Sequence, residues 1–494
     1  MAETLQFAGE FRLDKCELIS SSGVSADISK IIAEINIFED IFSTSLTGSI
    51  IISDTNNLVD NMPIIGQEYI SLKITTPSME QDAIDFSENV FCVYEMGGRT
   101  PAGTNSEVIE LKICSPELLR NERTRISKSY EETADQIVKS IMENEKYINT
   151  KKDLYLEPTL GIRKILSPNY HPYKLIQRLT RESMSAKNDS PHYLFFENIN
   201  GFHFRSLQSL YDDGIQGEFH FGDKGSDEEY TSSSDAGQLV QSYKRMINFK
   251  VPSKNNSLFD IKGGMLGSKL IMHDIYNKKY QTSTFSYFDD HDKHERLEEN
   301  SSPKYNNVLI DEENTVGNFT DSRIHLHPTS VTTDDRDAQY TKLPPPTVDE
   351  LVEQGVDRGL ARAAVDEEEK RVEEDPDFMS NRADKWLLQR QQRIHELAPT
   401  AEYVAATGGN TTLTVGQVIS VSLPVFGVDH EDTRISKHQS GLYLINKLRH
   451  TFNPPTRTHT VSLQATKDSY PIEFESKASG QEPKPDGQPT VYEL

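Results

Sequence analysis

The sequence predicts an α+β, mainly β chain: two antiparallel β-barrel domains, an α+β middle domain and an acidic helical insertion. Three observations predict it. An apolar residue, Gly-Gln and a strand-like run occur together twice, as Ile65-Gly66-Gln67-Glu68-Tyr69-Ile70-Ser71-Leu72 and as Val415-Gly416-Gln417-Val418-Ile419-Ser420-Val421-Ser422. Each copy is followed by two more strand-like runs across a polar loop, Val90–Tyr94 with Val108–Ile113 and Gly441–Leu448 with Thr458–Ala465. Between the copies the apolar spacing changes from two to three and four, which is the change from strand to helix. A repeated β-unit lets one chain fill two places in a symmetric ring. The turns Gly66-Gln67 and Gly416-Gln417 are therefore expected at equivalent places in the two barrels, at an interface.

Residues 1–125 read as the first barrel. Ile50 and Ile52, then Ile70, Leu72 and Ile74, then Ile109, Leu111 and Ile113 alternate with polar residues, as half-buried strands do. Residues 126–235 read as an α+β domain. Ser129-Tyr130-Glu131-Glu132 has the spacing of a capping box, with Ala134, Ile137, Val138 and Ile141 forming a helical stripe behind it. A second helix is expected over Pro172–Ser183, with Pro172 in its first turn. A hairpin follows, Tyr193–Phe196 and Phe202–Phe204 around Asn200-Gly201. Residues 236–335 read as a β-rich segment serving the second barrel and the α+β domain, with paired strands at Lys269–Tyr276 and Thr282–Phe288. The insertion and linking helix take 336–400: Thr347–Glu374 is acidic and helical, and Asn381–Leu397 carries Trp386, Leu387 and Ile394. The second barrel is 401–472, and 473–494 has too little to bury to be ordered.

Composition narrows the function. The 494 residues suffice for several cores, and 35% hydrophobic with 26% charged residues describes a polar, soluble chain. No apolar run is long enough to span a bilayer, so membrane insertion is not expected, and the N-terminus lacks the pattern of a signal peptide. Cys16, Cys92 and Cys114 form no CxxC and read as buried thiols. A net charge of −25 opposes gripping nucleic acid, which needs Lys and Arg on phosphate, yet suits a wall that DNA slides past.

The search for chemistry finds little. Gly263-Gly264-Met265-Leu266-Gly267 lacks the Lys and Ser/Thr of a phosphate loop. None of His294-Glu295, His395-Glu396 or His430-Glu431 has the second His of a zinc-binding helix. Asp289-Asp290-His291-Asp292-Lys293-His294 has the residue types of a metal site, but reads as a solvated loop after a strand. His325 and His327 read as the polar face of a short strand. Phe195, Phe196, Phe202 and Phe204 resemble a base-stacking sheet, but with few basic residues beside them they read as core. With 77 carboxylates, a catalytic pair cannot be picked out by sequence. No catalytic, cofactor or metal residues are assigned, and no enzyme activity is expected.

The stretch Leu46-Thr47-Gly48-Ser49-Ile50-Ile51-Ile52-Ser53-Asp54 with Pro63-Ile64-Ile65-Gly66-Gln67-Glu68 resembles the opening of the baseplate hub proteins of contractile-tailed, T-even-like phages. Pro172–Thr180 with Phe195-Phe196-Glu197-Asn198 and Asn200-Gly201-Phe202-His203-Phe204-Arg205 resembles their middle domain and that of related late-control and secretion-spike hubs. Ser440–His450 and Leu463–Asp468 resemble the closing barrel. The resemblance implies tail-tube-like barrels and a homotrimeric ring between the tail tube, or a tube-initiator protein, and the central spike protein. It implies adaptation of threefold to sixfold symmetry, initiation of tube assembly and a lumen for DNA in transit. Baseplate wedge proteins are further partners for the insertion, and the place is the virion tail baseplate, assembled in the host cytoplasm. The alternatives are the spike hub of a secretion system or other contractile injector, and a tail-associated hydrolase.

Overall fold

In the computed structural model, the alternation of the first hundred residues becomes strand. The structure describes residues 5–221, 241–250, 256–307, 315–328, 348–365, 382–397, 401–424 and 435–472, apart from a few positions inside those ranges. The expected disorder of 473–494 lies outside the described residues. The first half contains β1 (Arg12–Ile19), β2 (Ser25–Asp27), β3 (Ile32–Asp40), β4 (Thr47–Asp54), the short helix α1 (Leu58–Asn61), β5 (Tyr69–Thr76), β6 (Met79–Pro101) and β7 (Glu107–Cys114). These pair antiparallel in the order β3-β4-β7-β6-β5-β1-β2. The isoleucines and leucines of the alternating runs point into one core: Ile50, Ile52, Ile70, Leu72, Ile74, Ile109, Leu111 and Ile113 are all buried. Each such side chain contributes about 1.5–3 kcal/mol before chain entropy is subtracted.

The middle domain contains α2 (Pro116–Arg123), β8 (Ser129–Glu132), α3 (Ala134–Glu143), β9 (Leu154–Leu156), β10 (Arg163–Leu166), α4 (Pro172–Glu182), β11 (Tyr193–Asn198), β12 (Gly201–Ser206) and α5 (Leu207–Asp212). The helical stripe Ala134, Ile137, Val138 and Ile141 packs on Leu175, Ile176 and Leu179 of α4 and on the hairpin aromatics. Phe195, Phe196, Phe202 and Phe204 are all buried, so they serve as core. The capping box is not formed. Ser129–Glu132 is strand β8, paired with β10, and the cap position of α3 is Thr133. Burial of Tyr130 and a partner strand for the backbone outweigh a local cap here.

The second half contains β13 (Ile215–Phe221) and β14 (Arg245–Lys250), then an insertion, then β18 (Ala401–Ala406), β19 (Val418–Ser422), β20 (Gly441–Asn453) and β21 (Thr458–Thr466). The insertion has its own sheet, β16-β15-β17, made of β15 (Gly267–Asp274), β16 (Lys279–Ser286) and β17 (Ile324–Pro328). Its core includes Leu270, Phe285, Tyr287 and Trp386. Of the acidic helical stretch, Val348–Glu353 is helical and 366–381 lies outside the described residues. Asp384–Gln389 is a π-helical turn that leads into the helix Arg390–Leu397. That helix is fastened to the end of β21 by the buried pair Arg393–Asp468 at 2.5 Å. His325 and His327 do not form a polar outer face. They point inward, with the His327 ring edge-on to Trp386 at 5.1 Å, and Ile324 and Leu326 are the exposed residues. The indole takes the inner face, which reverses the polarity of the strand.

The two halves repeat one pairing order. The run β3-β4-β7-β6-β5 is matched by β14-β18-β21-β20-β19. Cys92 faces both Tyr69 and Cys114, and Leu444 faces both Val418 and Thr466. Each is followed by a bulge, between Val93 and Glu95 and between Ile445 and Lys447. A further bulge between Ile32 and Glu34 of β3 is matched between Met246 and Asn248 of β14. In the second half β19 also pairs with β13, and β13 with β14, so the pairing returns to β19. The first half is open, since β2 does not return to β3.

The expected pair of antiparallel barrels is therefore corrected: the first half is open, and in the second half β13 pairs parallel with β14 and β19. One strand serves both halves. After Leu444, β20 leaves β19 and pairs along Lys447–Phe452 with Asp40–Ile35 of β3, which makes a single 13-stranded sheet. Glu39 sits buried at this seam. It accepts the backbone N–H of Ile199 in the middle domain at 3.0 Å and that of Val415 in the second half at 2.9 Å. Burial pushes its carboxyl up to about 8.

A group with a raised acid pKa keeps its proton in the fold after the unfolded chain has lost it. Glu39 therefore takes stability away as pH rises from 4.5 to about 8, and has no further effect above that. Urea unfolding across this range should show that slope in the natural protein and a flatter one in Glu39→Ala. The variant should also be weaker by about 2–4 kcal/mol at pH 5, because two buried N–H groups lose their acceptor.

Candidate assembly site

A cleft of about 870 Å³ lies between α5 and the residues after β16, lined by Asp212, Ile215, Asp292, His294, Glu295 and Glu298 among others. Asp212 is exposed, and its carboxyl is raised by desolvation and by neighbouring Glu295. The cluster at Asp289–His294 is a short helix and 3-10 turn rather than a loop. His294 lies 3.6 Å from Asp290, and burial lowers its imidazole to about 4. Among the described residues no group of three His, Cys, Asp or Glu is arranged to hold a metal. The three cysteines are buried free thiols, which burial holds in the protonated form.

The charged groups that are deeply buried join parts of the chain. Glu197 of β11 accepts the backbone N–H of Leu46 at 2.8 Å, the Ser115 hydroxyl at 2.8 Å and the Lys152 ammonium at 2.6 Å. Lys152 also donates to Glu117 at 3.1 Å. Burial works against this ammonium, but Glu197 and Glu117 more than offset it and its pKa is raised. Lys152 and Glu197 belong to the middle domain and Leu46 to the strand-rich first half, so the cluster locks the two together.

The two glycine turns differ in what covers them. Gly66 has φ +84° and precedes β5; Gly416 has φ +86° and precedes β19. The turn at Gly66 is closed by Glu68, whose carboxylate accepts the N–H groups of Ile65, Gly66 and Gln67. The turn at Gly416 is closed by Gln417, which accepts from Thr414 N–H and donates to Thr412 C=O. Val415 and Val418 are buried, and Gly416 lies against Phe196 and Leu210 of the middle domain. Around the first turn Ile65 is 64% exposed, and Tyr69 and Tyr94 are each 43% exposed.

Sequence reasoning selected the glycine turns and missed Glu39, Glu197 and Lys152. One signal was present for Glu39. The inward phase Ile35, Ile37 runs on to position 39, where a carboxylate stands and Phe38 takes the outward place.

No family model matches the chain. The chain is similar to a phage baseplate hub protein: it is 21% identical over 262 residues to the probable baseplate hub protein gp334 of Vibrio phage KVP40. The match takes in 52% of the chain and 59% of that relative, so the chain spans about three fifths of its length. Among solved structures, it overlays loosely on the tail protein from Neisseria meningitidis MC58, with a TM-score of 0.47, 9% identity and coverage of 94% of this chain and 100% of that one. The 43 kDa tail protein of prophage MuSo2 from Shewanella oneidensis gives 0.45, at 9% identity and 93% and 100% coverage. The E. coli c3393 type VI secretion component gives 0.35, at 9% identity and 95% and 79% coverage.

Three substitutions bear on these contacts. Lys152→Met should cost about 3–5 kcal/mol in denaturant unfolding, because it strands two buried carboxylates. Gly66→Ala and Gly416→Ala should each lose about 1–2 kcal/mol to the left-handed backbone. The Gly416 variant should lose more, since its Cβ would stand 3.0 Å from the Phe196 ring, and thermal midpoints of the two rank the effect.

Proposed function

We propose that the chain is the structural hub of a phage tail baseplate, a homotrimeric ring that joins the central spike protein to the tail tube or a tube-initiator protein. The observation that carries this reading is the strand order repeated, with two matching bulges, in two halves fused through β20. Such a chain offers two tube-like domains, residues 1–125 and residues 401–472 completed by β13 and β14. Three copies then offer six, which meets a sixfold tube on one side and a threefold spike on the other. The turns Gly66-Gln67 and Gly416-Gln417 hold equivalent places in the two domains, and the exposed first turn faces a neighbouring subunit or the tube.

Similarity to a baseplate hub protein supports the same reading and favours a phage tail over a secretion spike. The role is mechanical: the hub starts tube assembly, holds the spike and leaves a lumen. A net charge of −25 suits a lumen that DNA crosses without being held. The insertion, 336–400, is the outward element offered to baseplate wedge proteins. The protein acts in the virion tail baseplate and is assembled in the host cytoplasm.

Electron-microscopy class averages of the purified protein, with and without its spike partner, test the ring. A threefold particle with a central hole and six peripheral lobes is the expected result. Compact monomers in both samples would overturn it.

A further inference from the structure

Two of the three cysteines stand opposite one another. Cys92 of β6 faces Cys114 of β7 in the ladder that joins those strands. Their chain neighbours Phe91, Val93 and Ile113 point into the core of the first half. Cys92 and Cys114 therefore occupy the other face of the sheet, in a row that runs Thr47, Cys114, Cys92, Tyr69. The middle domain closes over the pair: α2 packs on β6, and the charges of Glu117 and Lys152 act on both thiols. Cys16, by contrast, faces Leu72 and lies in the core.

The repeat shows that packing does not require cysteine at these two places. In the second half they are held by Leu444 and Thr466, which face each other across β20 and β21 and are fully buried.

The backbone sets how far apart the thiols stand. Ser115 N–H donates to Leu46 C=O, and Val93 N–H donates to Glu68 C=O. Bonding along an antiparallel strand alternates between its two edges. Cys114 and Cys92, each one residue along, therefore turn their backbone groups toward each other and form a hydrogen-bonded pair, with Cα atoms about 5.5 Å apart. That separation lies within the ~4.4–6.8 Å that a disulfide spans. The Cβ atoms must draw together by about 1 Å from ordinary strand pairing.

We propose that Cys92 and Cys114 form a reversible disulfide site, closed by exchange with a small-molecule disulfide such as oxidised glutathione and reopened by its thiol. One cysteine, as thiolate, attacks the glutathione disulfide; a mixed disulfide forms and one glutathione thiolate leaves. The second cysteine attacks the protein sulfur of that mixed disulfide, and the second glutathione leaves. The two protein thiols give up two protons and two electrons, the glutathione disulfide is reduced to two thiols, and one S–S bond replaces another. The closure that strand pairing resists makes the bond easily reduced. Burial pushes the two thiols up to about 11 and about 12, so exchange is slow while α2 covers β6 and proceeds when it lifts. In a reducing compartment the pair stays open; in an oxidising medium it staples β6 to β7 beneath the middle domain.

The full-length protein is brought to equilibrium in buffers of graded reduced-to-oxidised glutathione ratio by two routes, from the folded state and by refolding from urea in the same buffers. The second route removes burial as a barrier. Samples are quenched in acid, alkylated in denaturant and mapped by mass spectrometry. The expected product is lighter by two hydrogens, carries a Cys92–Cys114 linked peptide with Cys16 alkylated, and returns to three free thiols in dithiothreitol. Cys16→Ser should keep the linked peptide. Cys92→Leu with Cys114→Thr, which copies the pair of the second half, should abolish it. Three free thiols by both routes at every ratio, glutathione adducts at Cys92 or Cys114 that go no further, or a linked peptide containing Cys16 would overturn the proposal.

Discussion

Everything in the molecule depends on the hydrogen-bonding demand of one long strand. β20 runs for 13 residues, and each of its backbone groups needs a partner on one edge or the other. The second half supplies most of one edge, Leu444–Asn453, through β21 but only the first few residues of the other through β19. β3 of the first half supplies the remainder. The two halves are therefore not beads on a string: sliding one against the other would strand a row of donors and acceptors, at about 1–3 kcal/mol for each group left buried and unmet.

Side chains finish at the corner what the ladder begins. Glu39 and Glu197 each reach across to backbone N–H groups of another part of the chain, and Arg393–Asp468 does the same for the insertion. Buried groups with displaced pKa values often mark a catalytic centre. Here their hydrogen bonds go to neighbouring segments of the protein. The interior charges of this fold do the work of mortar.

Much of this architecture was legible in the sequence where short-range rules govern it. The alternation at Ile70–Ile74 and Ile109–Ile113, the Asn200-Gly201 turn and the stripe from Ala134 to Ile141 each reflect a period that a strand or helix imposes on its own residues. The duplicated Gly-Gln turns were legible because a left-handed backbone accepts glycine readily, and both glycines lie near φ +85°. What escaped was non-local. The sharing of β20 is a choice of partner that leaves no mark on either strand. Ser129–Glu132 carries a helix-start spelling, but its fate was decided by β10, more than thirty residues on. His327 turned inward because Trp386 lay waiting in another part of the insertion. Glu39 could have been suspected from the broken phase at Phe38, though not the identity of its two donors.

The seam also dictates an order of events during synthesis. Arg449 and its partner Asn36 lie 413 positions apart, so the ribosome releases β3 long before β20 exists to cover it. Through most of translation the outer edge of β3, with Phe38 pointing outward, stands open in a crowded cell where other nascent chains carry the same edge. Until β20 emerges, the first half is sticky by construction. The edge of β3 is thus covered only once β20 has been made, and a chain truncated before Gly441 would be released with that edge exposed.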